Sequence, residues 1–120
     1  MSNETKFKIG VKRVGRPIEF VEIPERIVAL ETLNEVVGGY IETLPFTFLN
    51  WGMSKTEGAE RVLIILDEEG KLKGKDVNLS FLSDFLVGDL AFVSMDGEEM
   101  VALSDKEIEV LRNTDRLIFE

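Results

Sequence analysis

The chain has 120 residues, 44% of them apolar and 31% charged, which is enough for one hydrophobic core without disulfides or metals. We therefore expect residues 1–120 to form a single domain. Cysteine and histidine are absent, which excludes thiolate nucleophiles, thiolate or imidazole zinc sites and imidazole general bases. The remaining carboxylate, lysine and tyrosine side chains show no recognisable catalytic pattern, so we expect a non-enzymatic protein with no catalytic residue, cofactor or metal site.

The net charge is −9, from 14 basic and 23 acidic residues. Five of the basic residues lie among the first 16 positions, so the rest of the chain is distinctly acidic. Nucleic-acid binding is disfavoured, because that class displays basic surfaces to phosphates. The acidic surface has two possible explanations. It mimics DNA and occupies a basic groove on another protein, or it only keeps the protein soluble.

The polar start MSNETKFK lacks the apolar segment of a secretory signal. The longest apolar runs, such as RVLIIL at 61–66, fall far short of the roughly 20 residues that span a bilayer. We expect a cytoplasmic protein without a membrane partner.

The first half of the chain alternates between strand and helix signals. Apolar and polar residues alternate over 7–12 and resume over 18–23 after a turn at 13–17, which predicts a β-hairpin. Pro24 suits the first turn of a helix, and apolar residues near a 3.6 period predict about three helical turns from there to Gly38. A strand over 40–44 and an ordered loop over 46–58 follow.

The second half is dominated by hairpin signals. The branched run 61–66 predicts a buried strand, and a turn at 67–70 predicts its pairing with 71–73 in a second hairpin. Residues 78–85 read as a short helix or turn, and Gly88 opens a third hairpin of 90–94 with 100–103. Ser104 and Glu107 form a capping box, which predicts a closing helix from about 105 to 113.

These elements together predict an α+β fold, with a mostly antiparallel sheet of about six strands and two or three short helices. We expect the first helix to pack on a face of the sheet and the closing helix to lie at an edge.

The segment LETLNEVVGGYIE at 30–42 resembles the VGGYIE signature of a family of small uncharacterised domains from bacteria, phages and mobile elements, which carries a domain-of-unknown-function label. The resemblance continues through residues 67–72, Asn78, 87–89 and 103–107, and covers most of 18–113. The family's turn often begins with asparagine where this chain has Asp67, and 50–60 is longer than usual. The resemblance implies the fold and suggests, by analogy, a host-takeover or counter-defence role, but it implies no activity.

Gly38 and Gly39 are candidates for a structural role. A glycine pair can let a phosphate approach backbone amides, but these glycines follow a helix and so lie at its negative end, which favours a helix cap.

Tyr40 and Glu42 are the leading binding candidates. If Ile41 faces the core, both point outward from one strand and form a recognition patch; alternatively, the ring of Tyr40 packs on the sheet while its hydroxyl is hydrated. Asn50 and Trp51 in the irregular loop are further binding candidates. Trp51 either anchors an interface or stacks on a base, or it pins the loop to its own core.

Two further features have ordinary structural explanations. The acidic run 67–69 lacks the ligand spacing of an EF-hand, so we expect solvated turn carboxylates. Asn78 is expected to hold a turn or a helix cap, with ligand contact as the alternative.

The leading hypothesis is a protein-interaction module with an unknown partner. The alternative is a protein that binds or sequesters a small nucleotide-like molecule at the interface of a homo-oligomer, because so small a domain has little room for an internal pocket.

Overall fold

A computed structural model describes residues 6–49, 58–81 and 84–119 of the chain. Within these residues the elements follow one another as β1 (Phe7–Lys12), β2 (Ile18–Ile23), α1 (Leu30–Val37), β3 (Ile41–Pro45), a 3₁₀ helix (Phe46–Leu49), β4 (Val62–Asp67), β5 (Val77–Phe81), β6 (Asp84–Val87), β7 (Leu90–Asp96), β8 (Glu99–Val101) and α2 (Asp105–Phe119). The predicted α+β class is confirmed.

The main sheet has six strands, all paired antiparallel. Five of them follow the order β2-β1-β7-β4-β3, and β8 pairs with the last residues of β7. The alternating pattern of the first stretch gives the β1–β2 hairpin, and the turn at Asp96 and Gly97 gives the β7–β8 hairpin, so both predictions are confirmed. Strands β5 and β6 form a second, two-stranded sheet.

Apolar residues cover both faces of the main sheet. α1 packs on one face, where its buried Leu33 and Val37 join side chains from β1, β4 and β7. α2 and the β5–β6 sheet cover the other face, where Phe92 of β7 meets Phe46 edge to face at 6.3 Å between ring centroids. Period-2 alternation thus supplies two cores, one on each side of β7. Among the described residues, no helix is long and apolar enough to cross a membrane.

The register of the strands defines two opposite ends of the sheet. Lys12 pairs with Leu90, and Ile41 pairs with Asp67. We call this end the glycine end; it comprises residues 13–17, 38–40, 67–76 and 88–89. Val62 pairs with Ser94 at the other end. We call it the arginine end; it comprises Lys6, Arg26, Arg61, residues 95–98 and 102–107.

The predicted start of the first helix at Pro24 is wrong, because α1 begins at Leu30. Residues 26–28 instead pair with β8: the N–H of Val28 donates to the carbonyl of Met100, and the carbonyl of Arg26 accepts from Ala102. The β-branched pair at 27–28 favours this extended pairing over helix. No side chain caps the helix N-terminus at Ala29.

Two further predictions about local structure are wrong. Residues 71–74 form a turn rather than a strand, and β4 pairs with β3 and β7. Residues 77–81 and 84–87 are strands rather than a short helix or turn. The closing helix begins at Asp105 as predicted but continues to Phe119. It contacts the edge strand β2, but its buried side chains pack on a face of the sheet rather than at the predicted edge alone.

Candidate functional site

A buried carboxylate organises the glycine end. The side chain of Asp67 is 1% exposed, and its Oδ2 lies 2.8 Å from the ammonium of Lys73 and 2.6 Å from that of Lys75. The backbone N–H of Glu69 donates to Oδ1 at 2.9 Å. The prediction of solvated carboxylates is therefore wrong for Asp67, whereas Glu68 and Glu69 are exposed.

Asp67 is charged in this environment. Burial raises the pKa of its carboxyl, but hydrogen bonds from Lys73, Lys75 and the Glu69 N–H outweigh burial and lower this pKa to about 2. The hydrogen bond to Asp67 raises the pKa of Lys73. The lysines thus supply the positive charge that a buried carboxylate requires.

The same two lysines hold the end of α1. The ammonium of Lys75 donates to the carbonyl of Val37 at 2.7 Å, and that of Lys73 donates to the carbonyl of Gly38 at 3.3 Å. The last carbonyls of a helix carry its partial negative charge, so cations stabilise them. One charge cluster therefore joins α1, β4 and the turn that follows β4.

Gly38 and Gly39 are required there for different reasons. Gly38 has a φ of 79° and its N–H donates to the carbonyl of Asn34, so it is the left-handed C-cap of α1. A Cβ on Gly39 would lie 2.8 Å from both Asp67 Oδ1 and Lys73 Nζ. The glycine pair thus serves the helix end and the charge cluster, and it supports the structural interpretation rather than a phosphate loop.

A groove of about 450 Å³ opens beside this cluster. Arg13, Gly38, Lys75, Gly88 and Asp89 are among its lining residues. Arg13 is paired with Asp89 at 2.8 Å, and Asp89 also accepts from the N–H of Val14. Both basic residues of the groove are thus paired, Arg13 with Asp89 and Lys75 with Asp67. Gly88 adopts a φ of 77° where the chain enters β7.

Asn78 lies beneath the groove and is buried. Its amide nitrogen donates to the carbonyls of Lys12 and Gly88, at 2.8 and 2.7 Å, while its amide oxygen accepts from the ammonium of Lys12. The side chain thus ties β1 and the β6–β7 turn to β5. Asn78 acts from within a strand, rather than from the turn or helix cap that the sequence predicts.

Large apolar side chains are exposed at the same end. Tyr40 is 77% exposed and Leu72 is 87% exposed. Ile41 packs toward the core on the α1 face, and Glu42 is exposed, which is the alternation that the sequence predicts. Tyr40 is anchored by its carbonyl, which accepts from the N–H of Glu68 at 2.9 Å. Asn50 and Trp51 lie outside the described residues.

The capping box lies at the arginine end. The N–H of Glu107 donates to Ser104 Oγ at 3.1 Å, and the N–H of Ser104 donates to Glu107 Oε1 at 2.8 Å. The hydroxyl of Ser94 also donates to Glu107 Oε2 at 2.8 Å, so this buried carboxylate joins β7 to α2. Sequence reasoning identifies the two capping residues but not Ser94, which comes from a distant strand.

The described residues contain no group of three or more carboxylates placed to hold a metal ion.

The family of the chain follows from a comparison with family sequence profiles. The sequence profile of the family described as Domain of unknown function (DUF3846) matches residues 7–116. The chain belongs to this family. Comparisons with curated proteins and with solved structures found no match.

Proposed function

We propose that this protein is a non-enzymatic interaction module that binds another protein through the exposed surface formed by Tyr40, Glu42 and Leu72. We call these three residues the glycine-end surface. The resemblance to domains of phages and mobile elements supports a role in host takeover or counter-defence.

The observation that carries this proposal is the exposure of Leu72 and Tyr40 on a rigid base. Leu72 is next to Lys73, which forms an ion pair with Asp67. Tyr40 is next to Gly39, whose backbone lies so close to Asp67 that a Cβ there would touch the carboxylate. Because the backbone that carries these two exposed side chains is already ordered, a partner that covers them orders only the side chains. The entropic cost of binding is therefore small. Tyrosine is also enriched at the energetic centres of interfaces.

Most of the segments that carry the family resemblance support the same location. Residues 38–40, 67–72, Asn78 and 87–89 are distant in sequence, yet all lie at or directly beneath the glycine end. Residues 103–107, which also carry the resemblance, lie at the arginine end. A small-molecule site in the nearby groove has less support, since Arg13 and Lys75 are already paired with carboxylates.

A site-specific photocrosslinker provides the test. We expect a crosslinker in place of Leu72 to capture one defined protein from cells, and Tyr40→Ala to abolish that capture. Glu98 is the matched control, because it lies on an exposed turn at the opposite end of the sheet. Equal capture from positions 72 and 98, or capture that survives Tyr40→Ala, would contradict the proposal.

A further inference from the structure

The arginine end contains a cavity of about 360 Å³. Its lining includes three basic residues, Lys6, Arg26 and Arg61, which come from three separate segments of the chain. They are exposed, whereas the lining residues Ser94 and Glu107 are buried. The cavity therefore combines a buried polar wall with cationic side chains that reach solvent.

The guanidinium groups in this region outnumber their partners. Arg26 is paired with Asp96 at 2.8 Å. The guanidinium of Arg61 has no hydrogen bond or ion pair within 4 Å among the described residues. The hydrogen bond from Arg26 lowers the pKa of Asp96, and the charge of Arg61 lowers it further. Two guanidinium groups therefore share one carboxylate, in a chain whose net charge is −9.

Two carboxylates also line the cavity, Asp105 and Glu107. Both oxygens of Glu107 already accept hydrogen bonds, from Ser104 N–H and from Ser94 Oγ. Glu107 is thus committed to joining α2 with β7. Asp105 is exposed and solvated. Lys6 pairs with the exposed Glu22 at 3.5 Å, and Arg26 pairs with the exposed Asp96. Because exposed ion pairs are weak, a ligand can recruit both of these side chains together with Arg61.

We propose that this cavity binds a small phosphomonoester, with the phosphate held by Arg61 and Arg26 and assisted by Lys6. The planar N–H fork of arginine matches phosphate oxygens in a bidentate geometry. The volume lies at the lower end of the range for small-molecule sites and accommodates a phosphate with one attached group. This site does not depend on the glycine-end surface, because Arg61 and Tyr40 lie at opposite ends of the sheet.

Amide chemical shifts of the full chain, titrated with inorganic phosphate and with a nucleoside monophosphate at constant ionic strength, test this proposal. We expect saturable shifts around Arg61, Ser94 and Ser104. Arg61→Ala is expected to weaken binding at least about tenfold, and Arg61→Lys by less, because lysine keeps the charge but loses the fork. Arg16→Ala is the matched control: it removes an equal charge from the exposed β1–β2 turn at the glycine end.

Three results would overturn the proposal. The first is an absence of saturable shifts in the unmodified chain at millimolar phosphate and nucleotide. The second is equal weakening by Arg61→Ala and Arg16→Ala, which would indicate only general charge attraction. The third is tighter binding of a short single-stranded oligonucleotide than of the nucleoside monophosphate at the same amides, which would assign the surface to nucleic acid. Saturation by phosphate alone supports the site and identifies the anion as the recognised group. A urea unfolding curve for each variant verifies that it is folded.

Discussion

Asp67 and Asp96, two carboxylates at opposite ends of the sheet, are held in opposite ways. At the glycine end Asp67 is 1% exposed, and two lysines turn inward to reach it. At the arginine end Asp96 is 53% exposed, and its two guanidinium neighbours remain in contact with water. The first arrangement fixes the backbone beneath exposed apolar side chains, while the second leaves charged side chains exposed. Charge composition alone does not distinguish them, because burial decides which role a carboxylate plays.

The largest expected effect separates the two carboxylates. Asp67→Ala removes the partner of Lys73, Lys75 and the Glu69 N–H, and we expect it to destabilise the protein by about 3 kcal/mol. Asp96→Ala, the matched control, is expected to cause a much smaller change because its ion pair is exposed. Urea unfolding of both variants measures the difference. Equal losses would show that burial does not distinguish the two ends.

The pH dependence of stability provides the second test. The pKa of Asp67 is about 2 in the folded protein, below its ordinary value of 3.8, so its contribution is present above pH 4. That contribution is lost as the pH falls toward 2, because protonation then favours the unfolded chain. We expect the unmodified protein to lose about 2 kcal/mol more than Asp67→Asn over this interval. Unfolding free energies of both proteins at pH 4, 3 and 2 measure it, and parallel curves would contradict it.

The next prediction compares two glycines. Gly39→Ala places a methyl group against Asp67 and Lys73, and we expect it to destabilise the protein by about 2 kcal/mol through forced displacement of the ion pair. Gly15→Ala places its methyl group in open space, where only the φ of +77° resists it, so we expect about 1 kcal/mol. Acid unfolding distinguishes the mechanisms, because only Gly39→Ala is expected to flatten the dependence on pH between 4 and 2.

The last test concerns the capping box at the arginine end. Ser104→Ala removes the acceptor for the N–H of Glu107, and we expect a loss of about 1 kcal/mol. Because Glu107 keeps its bonds to Ser94 and to the Ser104 N–H, α2 should remain docked. Thermal unfolding measures the loss, and a curve that matches the unmodified protein would refute the capping role.

Local patterns predict the elements whose cause is local. Alternation and a turn predict the β1–β2 and β7–β8 hairpins, and a four-residue box predicts the start of α2 at Asp105. The prediction that the first helix starts at Pro24 is wrong because residues 26–28 pair with β8, which is distant in sequence. The β-branched pair at 27–28 is a local sign of this competition, but the strand that wins it is distant in sequence.

The candidate site shows the same limit. The outward direction of Tyr40 and Glu42 follows from alternation about Ile41, which is a local property. The burial of Asp67 depends on Lys73, Lys75 and the end of α1 meeting in space. The sequence carries one usable signal: the lysines of GKLKGK at 70–75 follow closely after the acidic turn, a spacing that allows an internal ion pair as well as solvated carboxylates.

The central position of β7 determines how the protein assembles. The hairpin β1–β2 and the pair β3–β4 each form from segments that are near in sequence. Among the described strands only β7 joins them, and its partner β1 lies about 80 residues away. Until β7 pairs with β1 and β4, one edge of each of these strands has no strand partner. The unpaired edge of β4 has the apolar sequence VLIILD. A defect in this one strand would therefore expose two pairing edges at once. We expect β7, buried throughout its first five residues, to govern both the rate of folding and the tendency of the chain to aggregate.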